Sequence, residues 1–285
     1  MKQSALNTAL LTTAAMVAFA SNSLLNRLAL GQGTIDAVSY TTIRLTSGAV
    51  TLFVLAFLQR ESQKNFLRGS WISAAFLFLY AITFSFAYLS LTTGTGALIL
   101  FGSVQMTMLI VALRSGERPH LLEWIGLFLA LGGLVYLVFP GLTAPPLLGS
   151  ALMLVAGISW GFYTLRGRGS QNPLASTAGN FIYAVPMILA VLLISFQNIS
   201  ISSTGFIYAI LSGALASGCG YVIWYAALRG LTTTRAATVQ LSVPVIAAWS
   251  GVVFLAEHVS TRLLIAAALI LGGIALAVSS RVKKP

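Results

Sequence analysis

The chain has 285 residues, of which 58% are hydrophobic and 7% charged, with a formal net charge of +11 and a mean hydropathy of +0.92. An ordinary soluble domain carries about 25% charged residues, so this surface is not built for water. The composition excludes a soluble enzyme, a disordered chain, a secreted disulfide scaffold and a coiled coil, and it leaves an all-α integral membrane protein.

Apolar runs predict ten membrane-spanning helices in chain order, at residues 5–28, 35–58, 71–91, 94–113, 120–139, 147–165, 174–195, 204–228, 234–255 and 261–280. The first run continues to about Leu30 with no early A-x-A-like cleavage site, so it reads as a span and not as a removed leader. Pro119 and Pro173 suit helix starts, where a missing N–H costs nothing, and Pro140, Pro145 and Pro146 punctuate the central connection. Cys219 is the single cysteine, inside an apolar run, which excludes an intrachain disulfide or a CxxC metal site.

Lysine and arginine give the orientation, because cytoplasmic loops are enriched in them. With both termini inside, Lys2, Arg60, Lys64, Arg68, Arg114, Arg118, Arg166, Arg168, Arg229, Arg235, Arg281, Lys283 and Lys284 all fall on the cytoplasmic side, thirteen of the 16 basic residues. Arg27 and Arg262 fall outside and Arg44 lies within a span. Basic residues placed singly or in small groups between apolar runs do not form the stripe that a nucleic-acid partner requires.

The two halves of the chain look alike. Gly132–Gly133 in LALGGLVYLV recurs as Gly272–Gly273 in LILGGIALAV, an offset of 140 residues. The same offset superimposes Ala87 on Ala227, Thr92–Thr93 on Thr232–Thr233, and Glu117 on Glu257. A repeat of five spans is odd-numbered, so the second copy (147–285) enters the membrane in the opposite sense to the first (1–140). Inverted repeats are a recurrent transporter design, in which two halves exchange inward-open and outward-open shapes around a midplane site.

The chain resembles the EamA-type ten-helix members of the drug/metabolite transporter superfamily. The resemblance rests on Ser159–Trp160–Gly161, Ala226–Ala227–Leu228 followed by Thr232–Thr234, Pro244 in LSVPV, Glu257, and the two LGG-type helices. It implies a carrier whose central cavity is formed by helices 1–4 and 6–9, with helices 5 and 10 peripheral. Similarity to the YddG-type amino-acid exporters implies amino acids and related metabolites as cargo and export as the direction. Val104–Gln105 stands where the second half has Val243–Pro244, so the first half departs from the pattern at helix 4.

Polar side chains within spans should face the bundle interior or a cavity. Thr8, Thr12, Phe19, Asn22 and Asn26 share one face of helix 1, and Tyr40, Arg44, Ser47 and Thr51 share one face of helix 2. Phe76, Tyr80, Phe84 and Tyr88 recur at steps of four on helix 3. Arg44 lies nine residues into helix 2, roughly 13 Å deep and near the midplane of a ~30 Å core. Its guanidinium suits a carboxylate or phosphate; a helix-break carbonyl or Asp36 is the competing partner.

The candidate substrate-binding residues are Asn22, Arg44, Tyr80, Phe84, Trp160, Tyr163, Asn180, Tyr183, Trp224 and Gln240. The aromatic members suit apolar or aromatic cargo, or simple helix packing. The amides offer both donors and acceptors to a zwitterion. Pro186 and Pro244 are candidate hinges. Gly157-Ile-Ser159-Trp-Gly161 matches G-x-S-x-G, but no strand precedes it and His120 and His258 lie at span ends, so an intramembrane serine hydrolase is not expected.

No catalytic residues, metal site or cofactor are expected. Asp36, Glu61, Glu117, Glu123 and Glu257 all sit at loops or span ends, so facilitated movement or exchange is expected without a midplane carboxylate relay. The expected location is a bacterial inner membrane, with lipid and a small metabolite as partners. A sugar-phosphate or nucleotide-sugar carrier and a non-transporting membrane scaffold are the alternatives.

Overall fold

Within hydrocarbon every backbone N–H and C=O must be satisfied inside its own segment, which selects helices for apolar runs of this length. The computed structural model describes residues 5–58, 69–114, 121–139, 144–167, 170, 172–228, 230–231 and 239–280. Among them the helices are α1 (Ala5–Leu30), α2 (Ala37–Leu58), α3 (Trp71–Ala87), α4 (Thr93–Arg114), α5 (Leu121–Val138), α6 (Leu147–Gly167), α7 (Pro173–Ile194), α8 (Ser203–Leu228), α9 (Ser242–Leu255) and α10 (Thr261–Ser280). Helices α1, α2, α6, α7 and α8 are long and apolar enough to cross a membrane, and shorter apolar helices accompany them. The sole β pairing among the described residues is an isolated bridge between Ile35 and Ile201.

Local chemistry sets the helix ends. Asp36 starts α2 by accepting the Ser39 N–H at 2.8 Å, and Asn172 starts α7 by accepting from Ala175 at 3.1 Å, with Pro173 at the first helical position. Ser202 caps α8 through the Gly205 N–H at 3.1 Å. Helix α3 stops at Ala87, short of the expected Leu91. There the Arg27 guanidinium reaches across to the Tyr88 and Leu89 carbonyls and holds the chain in a turn.

The connections gather at two ends of the bundle. At one end, Asp36 exchanges backbone and side-chain hydrogen bonds with Ser200. Arg27 pairs with Glu257 at 3.3 Å, and Arg262 donates to the Phe139 carbonyl. At the other end the Ser70 N–H donates to Asn180 Oδ1 at 2.9 Å, and Arg166 donates to Ser70 and Ser73. Most of the basic residues used for the orientation lie outside the described residues: Lys2, Arg60, Lys64, Arg68, Arg118, Arg168, Arg229, Arg235, Arg281, Lys283 and Lys284. Glu61, Glu117, Pro119, His120, Pro140 and Thr232–Thr234 lie there too.

Helix α1 runs between α4, α8 and α9, while α2 packs on α7 and α8, and α3 on α6 and α7. Helices α5 and α10 pack mainly on each other. Their contact is reciprocal: a Cβ on Gly133 would press on Leu269 and Ile270, and one on Gly273 would press on Leu129, Ala130 and Gly126. Adjacent Gly132 and Gly272 face open space, so one glycine of each pair permits close packing and the other does not.

Candidate functional site: an aromatic cavity beside a buried arginine

The interior face read from α1 is buried, with Phe19 6%, Asn22 3% and Asn26 0% exposed. Phe19 meets three rings edge-on: Trp160 of α6 at 6.4 Å, and Tyr221 and Trp224 of α8 at 6.0 and 5.8 Å. Trp160 in turn contacts Tyr80 at 4.8 Å, Tyr221 at 4.9 Å and Tyr163 at 5.4 Å. Phe19, Tyr80, Phe84, Trp160, Tyr221 and Asn22, with α4 closing one side, line a cavity of about 10 Å³, which holds about one water molecule. In this conformation the cavity is shut around its own walls.

Arg44 stands behind that wall. It is 1% exposed, and its guanidinium lies 5.2 Å from the ring centres of both Tyr80 and Phe84. Nη2 donates to the Tyr80 hydroxyl at 3.0 Å, Nε donates to Ser217 at 3.3 Å, and Nη1 has no hydrogen-bond partner. Neither a carbonyl at a helix break nor Asp36 satisfies it; Asp36 is engaged at the bundle end. Two hydroxyls and two ring faces lower the cost of a buried cation but bring no negative charge.

A polar chain that the sequence reading did not assemble runs beside the cavity. Asn22 donates to Ser217 at 3.2 Å and accepts from Ser212, while Asn26 accepts from Ser85, which accepts from Thr41 at 2.8 Å. Ser212 and Ser217 both belong to a π-helical run, Leu211–Cys219, inside α8. Its wider turn lets two serines five residues apart converge on Asn22, with Ser217 also accepting from Arg44, and such insertions are frequent at functional sites. Gly213 permits the approach: a Cβ there would collide with Ser47 and with the Arg44 carbonyl. Nothing in the apolar pattern of α8 distinguishes a π turn from an α turn; the clustering of Ser212, Gly213, Ser217 and Gly218 was the available signal.

The remaining candidates are placed differently. Asn180 accepts the Ser70 N–H at the far end of the bundle, and Tyr183 stacks on Trp71 with ring centres 4.7 Å apart. Phe181, not these two, brings α7 to the cluster, 5.8 Å from Tyr221. Gln240 is buried just before α9. Pro244 lies in the first turn of α9, and the turn at Leu241 sits where its ring would crowd the preceding carbonyls. Pro186 is exposed on a continuous α7.

Residues 147–279 match the EamA-like transporter family. An uncharacterised protein of Pseudomonas aeruginosa is 52% identical over 96% of this chain and 95% of its own length. The chain belongs to the EamA-like transporter family. Its relatives include a probable amino-acid metabolite efflux pump of Escherichia coli, 25% identical over 74% of this chain and 75% of that protein. A crystal structure of a protein 19% identical in sequence shares the fold, with a TM-score of 0.65 over 95% of this chain and 98% of the other. The EamA-like assignment makes the chain a multi-pass membrane protein of a transporter family.

Proposed function

We propose that this EamA-like protein is a secondary carrier that exports amino acids or closely related metabolites by alternating access. The carrying observation is the cavity of about 10 Å³ walled by Phe19, Tyr80, Trp160 and Tyr221, with a buried arginine behind it that lacks an acidic partner among the described residues. Aromatic walls suit an apolar cargo body, Asn22 offers a polar contact, and Arg44 offers a carboxylate-sized anion site. The similarity to a probable amino-acid metabolite efflux pump of Escherichia coli supports the direction.

Rocking of two inverted five-helix halves, residues 1–140 and 147–285, opens the cavity first to one side and then to the other. The reciprocal Gly133–Leu269 and Gly273–Leu129 contacts support the two-fold relation, since each partner is displaced by the 140-residue offset of the repeat. The break before Pro244 supports a hinge there, and Pro186 is the second hinge of this reading. The protein resides in a bacterial inner membrane with both termini cytoplasmic, and cargo moves down its own gradient or in exchange. Counterflow of a panel of amino acids into proteoliposomes tests the reading. Flux is expected for wild type and a loss of tenfold or more for Arg44→Ala and Trp160→Ala; a panel with no flux for any amino acid or amino-acid metabolite overturns it.

A further inference from the structure

We propose that the preferred cargo is an organic monoanion: a carboxylate whose α-substituent is uncharged, such as a 2-hydroxy acid or an N-acyl amino acid, bound more tightly than the zwitterionic amino acid of the same side chain. This rests on the reading of Arg44 as the cargo's anchor and specifies the charge that the anchor selects.

Charge near Arg44 must balance locally, because the surrounding medium screens poorly. Arg44 is 1% exposed and carries a full positive charge. Its bonded partners, Tyr80 and Ser217, are neutral hydroxyls, and Nη1 has none. Tyr40 and Tyr221 bring two more buried hydroxyls within electrostatic reach of the guanidinium, and neither hydroxyl has a hydrogen-bond partner. The site therefore presents unused donors and no anion.

The described residues hold no compensating charge nearby. Asp36 and Glu257 are the carboxylate side chains described, and both are engaged at one bundle end: Asp36 with the Ser39 and Ser200 N–H groups, Glu257 with Arg27 and the Thr93 N–H. A monoanion brings the local charge to zero and supplies acceptors for Nη1 and the two phenols. A zwitterion leaves the site with a net positive charge, because its ammonium arrives bonded two atoms from the carboxylate and no described acidic side chain meets it. Like charges confined together in a low-dielectric pocket repel strongly. Ring faces and Asn22 soften that cost without removing it.

The test uses purified full-length protein and its own tryptophan fluorescence, since Trp160 lines the cavity and Trp224 packs on Phe19 of its wall. Three trios of probes are titrated at neutral pH: leucine, 2-hydroxyisocaproate and leucinamide; phenylalanine, 3-phenyllactate and phenylalaninamide; threonine, 2,3-dihydroxybutyrate and threoninamide. The hydroxy acid is expected to bind at least tenfold more tightly than the amino acid in every trio that binds, with the amide weakest. Arg44→Lys is expected to keep the order and Arg44→Gln to abolish it; if either variant fails to fold, the wild-type ratios decide alone. Amino acids binding as tightly as their hydroxy acids overturn the inference while leaving amino-acid export standing. Amides binding as well as hydroxy acids overturn both, because Arg44 is then no anchor.

Discussion

Tyr80 has three duties at once: it walls the cavity, lies against the Arg44 guanidinium and accepts a hydrogen bond from it. Tyr80→Phe keeps the ring and deletes the acceptor, leaving a second guanidinium nitrogen unpaired in a buried site. A buried donor stripped of its partner costs about 1–3 kcal/mol, so the variant is expected to melt several degrees lower in detergent, and added carboxylate cargo should restore part of the loss. No change in melting temperature would show that Arg44 does not depend on the phenol. Asn22 reads similarly: Asn22→Leu removes contacts to both Ser212 and Ser217, and a loss of flux with the fold retained is the expected outcome in counterflow. These residues were legible in part. The spacing on α1, α2 and α3 put Asn22, Arg44, Tyr80 and Phe84 on interior faces, because polar atoms in hydrocarbon must turn inward. It did not reveal that the Arg44 side chain is screened from the cavity by two rings, since periodicity gives the face of a helix and not the depth of a neighbouring side chain.

Among the elements, α8 and α2 approach each other closely at Gly213. Gly213→Ala inserts a methyl group against backbone, which cannot yield as a flexible side chain can, so α2 and α8 must separate and Ser217 must withdraw from Arg44. Loss of folded protein on size-exclusion chromatography is expected. Gly132→Ala, which meets nothing within 4 Å, is the control and should be neutral or stabilising by up to about 1 kcal/mol through helix propensity. Glu257 ties three elements by pairing with Arg27 of α1 and accepting the Thr93 N–H at the start of α4 at 2.8 Å. Glu257→Gln is expected to loosen that end and raise the labelling rate of a cysteine placed at Thr92, whereas an unchanged rate would mean that the tie does not hold the end closed. Helix existence and limits follow the apolar runs closely, as at Ala5, Trp71 and Thr261. The exceptions have both remote and local causes: α3 stops where Arg27 donates to the carbonyls of the turn after it, and α9 begins at Ser242, after the turn that precedes Pro244.

At the scale of the molecule, the reading depends on alternate connections facing opposite sides of the bilayer. Lys64→Cys and Arg168→Cys should react with a membrane-impermeant maleimide from the same side, and Asn198→Cys from the other. Labelling of the first two from different sides would break the inverted-repeat reading and the transport cycle with it. The family was legible from weak apolar motifs spread along the chain, whereas the cargo was not, because the candidate site is assembled from α1, α2, α3, α6 and α8 with no contiguous signature.

The π run of α8 holds a surplus residue within a continuous helix. An ordinary α register through Leu211–Cys219 would release the surplus residue as a screw motion, turning everything downstream by roughly 100° and sliding it by roughly 1.5 Å. That movement would carry Ser217 away from Arg44 and swing Tyr221 and Trp224 away from Phe19 together. A single rewinding would then unlock the cation and widen the chamber in one stroke, so that the helix would serve as its own ratchet.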